Sequence, residues 1–294
     1  MKELSILIPI YNEVCAPLVE QLYEQAAAIR ELHYEILVAD DGSTDTVSQE
    51  ANSTINHLPK CRFLMRGFNS GRAAIRNFLA QQAHYKALLF IDGDMAVIST
   101  QFLANYLKNL DKQVVYGGYT VGKGTLDNLR YRYEKNSEEH HTAEQRRKRP
   151  YQDFHTSNFM IGRELMLAHP FDERFKHYGY EDVLFGKMLR QHHISIEHID
   201  NPLGFNTFET NEEFLLKTEE SLCTLHEFRE DLRGYNRLLT LAGGIHIGLV
   251  RTVIRLWHQF IGPLERRILQ GRHPNLTVYK LYKLGYYLTL TKND

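Results

Sequence analysis

Two carboxylates separated by one glycine, Asp92-Gly93-Asp94, stand just past the apolar run 87–91. That run is short, apolar and bounded by polar residues, so it reads as a buried strand. Carboxylates beyond the carboxyl end of such a strand lie where open α/β sheets bind their ligands. Two hard oxygen donors with no surrounding cage suit Mg²⁺ or Mn²⁺ that is also held by a substrate's phosphates. An acidic turn has the same spelling, so the motif gains meaning only from the residues around it.

Three further groups could join that chemistry. Asp40-Asp41-Gly42-Ser43-Thr44-Asp45 follows a second apolar run, and its plain reading is a turn with Asp45 as helix cap. Arg72 and Arg76 share one face near a helix start, where guanidinium groups and the helix terminus both favour a diphosphate. Two solvated arginines would look the same. Glu181 and Asp182 are adjacent and point ~100° apart on a helix, so they cannot do one job. The plain alternative is an acidic pair facing the helix dipole. No Ser-His-Asp or Cys-His arrangement accompanies them.

The elements needed to hold these groups are visible in the pattern. Residues 4–10, 35–39, 62–65 and 87–91 read as strands, with helices at 18–32, 46–58 and 72–82 between them. A further strand lies near 114–116. Such alternation implies a parallel sheet covered on both faces, with function in the loops after the strands. Residues 125–149 are strongly polar and end in Arg146-Arg147-Lys148-Arg149. They read as a solvated helix and loop, or as a flap that gathers over phosphates. From about residue 211 the chain is mainly helical, with Phe214, Leu215, Leu222 and Leu225 at helical spacing.

Composition narrows the class. A chain of 294 residues, 43% hydrophobic and 24% charged, is long enough for a sizeable globular core. Its formal charge of −1 gives no overall attraction to nucleic acid, and the one basic run lacks interleaved aromatics beyond Tyr151. Cys15, Cys61 and Cys223 are scattered, which reads as reduced thiols and not a disulfide framework. The first apolar stretch is too short for a signal peptide, and no window reaches the ~18 apolar residues of a membrane span. The best window, 241–262, is interrupted by His246, Arg251, Arg255 and His258. The expected location is cytoplasmic, either free or peripheral at the inner face of the membrane.

Four segments in order resemble family 2 glycosyltransferases with the GT-A fold. They are Ser5-Ile6-Leu7-Ile8-Pro9-Ile10-Tyr11-Asn12-Glu13, the turn from Asp40 to Asp45, Asn69-Ser70-Gly71-Arg72-Ala73-Ala74-Ile75-Arg76-Asn77, and Asp92-Gly93-Asp94. Phe171-Asp172-Glu173-Arg174-Phe175 with Gly179-Tyr180-Glu181-Asp182 is similar to the acceptor-side motif of a galactosyltransferase-type carboxyl half. The resemblance implies an α/β architecture: a GT-A, Rossmann-like, mostly parallel sheet flanked by helices, with a helical carboxyl-terminal extension. Residues 1–210 would form the catalytic domain, with 1–95 the nucleotide-binding half and 96–210 the acceptor-binding half; residues 211–294 would form the extension.

The resemblance also implies an activity and a set of roles. The chain would be a metal-dependent, inverting hexosyl- or N-acetylhexosaminyltransferase in glycan or polysaccharide assembly. It would move a sugar from a nucleotide donor, a UDP-sugar, to a saccharide acceptor, free or lipid-linked. Donor binding would fall to Pro9, Tyr11, Glu13, Asp41, Arg72, Arg76, Asp92 and Asp94. Among these, the Asp41 carboxylate would accept from a uracil imide N–H, and residues 9–11 would form the wall for the base. Asp94, with Asp92 completing the shell, would hold Mn²⁺ or Mg²⁺. Asp182 would be the general base and Glu181 would hold the acceptor. Ser157 and Asn158 would meet sugar hydroxyls, or else satisfy strand-edge backbone.

Some features depart from that pattern. Members of this type often carry a histidine on a later strand as an additional metal ligand, whereas residues 201–207 contain none. Tyr180 stands where a second glycine is more familiar, which puts a ring beside the acceptor pocket. The Gln-x-x-Arg-Trp signature of processive synthases is missing, so one addition per encounter is expected. In the carboxyl-terminal segment Arg251 and Arg255 share a face, Val250, Ile254, Trp257 and Ile261 form an apolar stripe, and Arg266, Arg267 and Arg272 follow. This is a helix docked on the catalytic domain, or a basic amphipathic segment lying on an anionic membrane. The rival readings are a sugar-nucleotide pyrophosphorylase, disfavoured because Tyr11-Asn12-Glu13 replaces its glycine-rich loop, and a non-catalytic carbohydrate-binding protein on the same fold.

Overall fold

The computed structural model describes residues 2–245 and 248–291; His246 lies outside them. The chain divides into two compact units. The first comprises Met1–Thr120, His140–Lys176 and Phe185–Asn206, and the second Val121–Glu139, His177–Leu184 and Thr207–Asp294.

The elements, in chain order, begin with β1 (Lys2–Ile10), α1 (Ala16–Ala28), β2 (Leu32–Asp40), α2 (Thr46–Ser53), β3 (Cys61–Met65) and α3 (Arg72–Gln82). Next come β4 (Ala87–Ile91), β5 (Met95–Ala96), α4 (Phe102–Leu107), β6 (Val114–Tyr116), β7 (Tyr119–Thr120), α5 (Leu129–Glu138) and α6 (Ala143–Lys148). Then follow β8 (Asn158–Gly162), α7 (Arg163–Ala168), α8 (Glu181–Gln191), β9 (Ile196–His198) and β10 (Leu203–Phe205). The chain closes with α9 (Asn211–Glu227), α10 (Arg237–Gly244), α11 (Gly248–Gln270) and α12 (Leu276–Leu290).

The first unit is built on a seven-stranded sheet in the order β3-β2-β1-β4-β8-β6-β9. β1 pairs in parallel with β2 along its whole length and with β4 through Ser5↔Leu88 to Leu7↔Phe90. Leu4, Ile6, Leu7 and Ile8 are all buried, which is why β1 reads as a continuous apolar run and not an alternation. β8 runs antiparallel to both β4 and β6. A three-stranded ribbon, β5-β10-β7, stands beside this sheet. Strand order reverses at the β1/β4 boundary, and the carboxyl ends of strands at such a switch point are where open α/β sheets generally receive ligands.

Local chemistry corrects two element boundaries. The expected helix over 18–32 stops at Ala28, because Glu31 takes a left-handed φ of 60° and Leu32 and Tyr34 are buried in β2. Asp45 does cap α2, accepting from Val47 N (3.1 Å) and Ser48 N (3.2 Å), but α2 ends at Ser53 and a 3-10 turn follows. The start of α1 has no capping oxygen of its own. Asn52 Oδ1 supplies one, accepting from Cys15 N (2.9 Å) and Ala16 N (3.2 Å).

The basic run at 146–149 is not a phosphate-gathering flap. Arg146 is buried and donates to Ile199 O (2.7 Å), Gly117 O (3.2 Å) and His198 Nδ1 (3.3 Å), with its guanidinium over the Tyr116 ring. Arg147 donates to His198 O at 2.6 Å and Arg149 to Asp153 at 2.6 Å. Arg146 and Arg147 therefore tie this run to the β6 and β9 ends of the sheet, while Lys148 stays on the surface.

The second unit packs Leu129, Phe214, Leu215, Leu269, Tyr279 and Tyr282 into one cluster. Thr210 and Glu213 form a reciprocal capping box at the start of α9. Arg255 turns inward, donating to Leu288 O (2.7 Å) and Thr291 O (2.9 Å), and so satisfies carbonyls at the end of α12. Arg251 donates to Ala242 O at 3.2 Å. Those two arginines are thus structural, and Ile254 and Ile261 are half-buried beside them. Among the described residues no helix is long and apolar enough to cross a membrane.

Burial makes the sheet acid-sensitive. His198 Nδ1 accepts from Arg146 while Nε2 faces Pro150 O at 2.9 Å, an arrangement that fits only the neutral ring. Desolvation holds His198 down at about 4 and His141 at about 3, against an ordinary 6.5. Below the ordinary value the unfolded chain takes up protons that the folded chain refuses, so stability falls as pH drops from 6.5 towards about 4. Melting temperatures recorded from about pH 7 to about pH 5 should therefore decline, and His198→Gln should flatten the decline by up to about 1.4 kcal/mol per pH unit.

Candidate functional site

The ends of β1, β2 and β4 are tied together by backbone and short polar side chains. Asp41 N donates to Ile10 O at 2.9 Å. Asp40 Oδ1 accepts from Ser43 N (2.9 Å) and Ser43 Oγ (2.5 Å), closing the acidic turn. Asn12, at φ 52°, donates its N–H to Ser43 Oγ (2.7 Å), and its Oδ1 accepts from Thr44 N (2.8 Å) and Asp45 N (3.1 Å). These bonds fix the loop that carries Pro9, Tyr11 and Glu13. In it Tyr11 is exposed, Pro9 and Glu13 are half-buried, and Glu13 O accepts from Asn52 Nδ2 at 2.8 Å.

Asp41 stands just past β2 with its carboxylate turned inward. Its side chain is 4% exposed. Oδ1 accepts from Ser70 Oγ (2.7 Å) and Arg66 Nη1 (3.2 Å), and Oδ2 from Gly71 N (2.9 Å) and Ser70 N (3.0 Å). Four internal donors thus hold this carboxylate. Asp41 therefore fastens the end of β2 to the start of α3. The Asn69-Ser70-Gly71 turn marks Ser70 in the sequence, whereas Arg66 carries no local mark of its role. Gly71 is required there, with φ 92° and a Cβ that would come within 2.9 Å of Lys176 O.

Arg76 also has an internal placement. It is 1% exposed and its Nη2 meets Asp92 Oδ1 at 2.6 Å, while Nη1 donates to Arg72 O at 3.3 Å. The expectation that Arg76 reaches a diphosphate is corrected: α3 turns it under the sheet end, where it orients Asp92. Asn77, next in sequence, exchanges hydrogen bonds of 2.9 Å with the Phe171 backbone and donates to Glu173 Oε1. Arg72, the first residue of α3, is exposed.

Asp92 and Asp94 flank a turn pressed against β1. Asp92 N donates to Ser157 O at 3.1 Å, and a Cβ on Gly93 would come within 2.5 Å of Ile10 Cγ2. Asp92 keeps 19% of its side chain exposed and Asp94 is half-buried. Asn206 N donates to Asp94 O at 3.2 Å. The antiparallel register Gly204↔Ala96 and Phe205↔Met95 continues to Asn206 opposite Asp94. Directly opposed residues in such a ladder project to one face with Cβ atoms about 5 Å apart. Asn206, within the histidine-free stretch 201–207, thus stands opposite Asp94, a pairing set by strand register and not by any local motif.

Of the two readings of Asn158, the backbone-satisfying one fits the structure. The residue is fully buried: Tyr106 donates to its Oδ1 (2.7 Å), and its Nδ2 donates to Gly118 O (2.7 Å) and Asn201 O (3.0 Å). Every polar atom of that amide has an internal partner, so it locks β8 to its neighbours and does not face a sugar. Ser157 is half-buried and contributes its carbonyl to Asp92.

Tyr180, Glu181 and Asp182 belong to the second unit. Gly179 and Tyr180 take φ values of 100° and 70°, a bend that starts α8 at Glu181. Glu181 is buried, and Asp182 Oδ1 accepts from Val183 N at 2.8 Å. The Tyr180 hydroxyl bonds with Asn236 and Ser221, and burial raises its pKa.

The donor set suits a hard cation without completing its shell. Among the described residues no group of three or more His, Cys, Asp or Glu could hold a metal ion. Asp94, Asp92 and the Asn206 carboxamide are oxygen donors, so phosphate oxygens of a ligand would fill the remaining positions.

The profile of glycosyl transferase family 2 matches residues 5–168. The chain belongs to that family. Two curated relatives carry the description of an uncharacterised glycosyltransferase. One, from Rickettsia felis, is 33% identical over 92 residues, covering 31% of this chain and 15% of the relative. The other, from Haemophilus influenzae, is 28% identical over 120 residues, covering 39% of this chain and 42% of the relative. The match thus spans less than half of either relative. Among solved structures the chain is similar to residues 1–349 of S. aureus TarS, with a TM-score of 0.53 and 18% identity over 100% of this chain and 91% of that one. It is also similar to the mannosyltransferase PcManGT of Pyrobaculum calidifontis, with a TM-score of 0.58 and 16% identity over 99% and 86%. The family 2 chain has the GT-A fold expected from its sequence.

The buried pair provides a direct check. Arg76→Ala should cost about 3 kcal/mol in urea unfolding, because it leaves Asp92 without its guanidinium. Arg76→Ala with Asp92→Ala should cost less than the sum of the single changes by at least about 1 kcal/mol.

Proposed function

We propose that this family 2 member is a metal-dependent inverting glycosyltransferase that moves a hexosyl or N-acetylhexosaminyl group from a UDP-sugar to a saccharide acceptor, free or lipid-linked. The observation that carries the reading is the Asp92-Gly93-Asp94 turn at the β1/β4 switch point, with Arg76 locked beneath Asp92 and Arg72 exposed at the start of α3. The fold neighbours lend support: TarS has been solved with UDP-GlcNAc and with UDP, and PcManGT with GDP-Man and Mn²⁺.

In this reading Tyr11 and Pro9 support the base, and Arg72 meets the diphosphate. Asp41 positions the start of α3, in addition to the base contact that the family pattern assigns it. Asp94, Asp92 and the Asn206 carboxamide would hold Mn²⁺ or Mg²⁺, which would supply Lewis-acid stabilisation of the departing diphosphate. The Asp182 carboxylate takes the proton of the acceptor hydroxyl while its oxygen bonds to the anomeric carbon. The bond from that carbon to the diphosphate oxygen breaks with its electron pair, so UDP leaves and configuration inverts. Glu181 holds the acceptor. The carboxyl-terminal segment is read as the part that meets a membrane where a lipid-linked acceptor resides.

UDP release should appear with one member of a UDP-sugar panel when Mn²⁺ is present. Asp94→Asn and Asp182→Asn should each lower it by roughly a hundredfold or more. Asn206→Ala should raise the Mn²⁺ concentration at half-activation roughly tenfold. Donor binding without turnover across acceptors would favour the carbohydrate-binding alternative.

A further inference from the structure

The solvent side of α11 is apolar along almost its whole length. Leu249, Val253, Leu256, Phe260, Leu264 and Ile268 recur every three or four residues and are all exposed, Leu249 at 74% and Phe260 at 73%. At 1.5 Å per residue they form a stripe about 28 Å long, bordered by exposed Trp257. An isolated exposed leucine needs no explanation, but a contiguous stripe of this size marks an interaction surface. The opposite side of α11 is already occupied by α9 and α12, so intramolecular packing does not account for the stripe.

Charge identifies the occupant. Residues 232–291 contain nine Lys and Arg but one acid, Glu265, whereas the whole chain has a formal charge of −1. Glu265 is buried and accepts from Trp257 Nε1 at 3.0 Å, which leaves no exposed carboxylate on α11. Arg267 on α11 and Arg272 just after it are exposed, while Arg251 and Arg255 turn inward. Two copies joined through this face would bring like charges together, a costly arrangement. A bilayer rich in anionic lipid offers the opposite charge together with an apolar interior, and aromatic side chains such as Trp257 and Phe260 suit its boundary. We propose that the exposed face of α11 lies on an anionic membrane surface.

The inference deepens the membrane contact and acceptor class read above, and it is scored by lipid binding without any donor, so its failure and the failure of the transferase reading are separable. The test mixes the full chain with vesicles of equal parts phosphatidylcholine and phosphatidylglycerol, and with phosphatidylcholine alone. Trp257 is the chain's single tryptophan, so its emission reports from the face itself. Expected results are sedimentation with the anionic vesicles, emission shifted to shorter wavelength, and weakening by salt. Phe260→Ser with Leu264→Ser, at unchanged circular dichroism, should lower partitioning roughly a hundredfold, about tenfold for each side chain withdrawn from the lipid. Absence of binding, equal binding to both vesicle types, or a double variant that binds like the unmodified chain would overturn the proposal. So would a lipid-free dimer, seen in sedimentation velocity, that the double variant abolishes.

Discussion

Placing the Arg76 guanidinium beneath the carboxyl end of β4 removes a charge from water, which is costly unless a partner and further acceptors receive it. Asp92 at 2.6 Å and the Arg72 carbonyl supply them, and the Phe171 ring lies 5.7 Å from the guanidinium carbon. The pair fixes where the turn that follows can go, because Asp92 is held from below by Arg76 and through its N–H by Ser157. Asp94 follows directly, its carbonyl accepting from Asn206 N at 3.2 Å. Removing either partner would loosen the carboxylate pair together with its support, so the arrangement is preorganisation as much as stability.

The same logic runs through the neighbouring strand ends. Asp41 gathers Arg66, Ser70 and Gly71, while Asn12 gathers the acidic turn. Loops that carry ligands are otherwise the mobile part of an α/β fold. Here each is held by polar side chains: Asp41 at the end of β2 fastens the loop before α3, and Asn12 fastens the acidic turn.

Much of this was legible in the residues, and the failures share a cause. The strands at β1 to β4 and the Asp45 cap follow from apolar runs and local turn chemistry, which act within a few residues. The antiparallel course of β8, the inward turn of Arg76 and Asn158, and the pairing of Asn206 with Asp94 depend on partners far along the chain. Arg76 lies 16 residues from Asp92, and Asn158 lies 52 from Tyr106. A polar residue in a motif looks the same whether it will face a ligand or a buried carbonyl. Segments 121–139 and 177–184 joining the carboxyl-terminal helices is likewise a long-range outcome, with no compositional mark in the sequence.

The central claim is that the donor's diphosphate is received at the β1/β4 switch point by the Asp92-Asp94 turn. Diffraction from crystals grown with UDP and Mn²⁺, with GDP in parallel, tests it most directly through the anomalous signal of the cation. The account predicts an anomalous Mn²⁺ peak within coordination distance, about 2.2 Å, of Asp94, bridging to nucleotide phosphate oxygens. Nucleotide bound with its phosphates away from this turn, or a Mn²⁺ peak held by other residues, would contradict it.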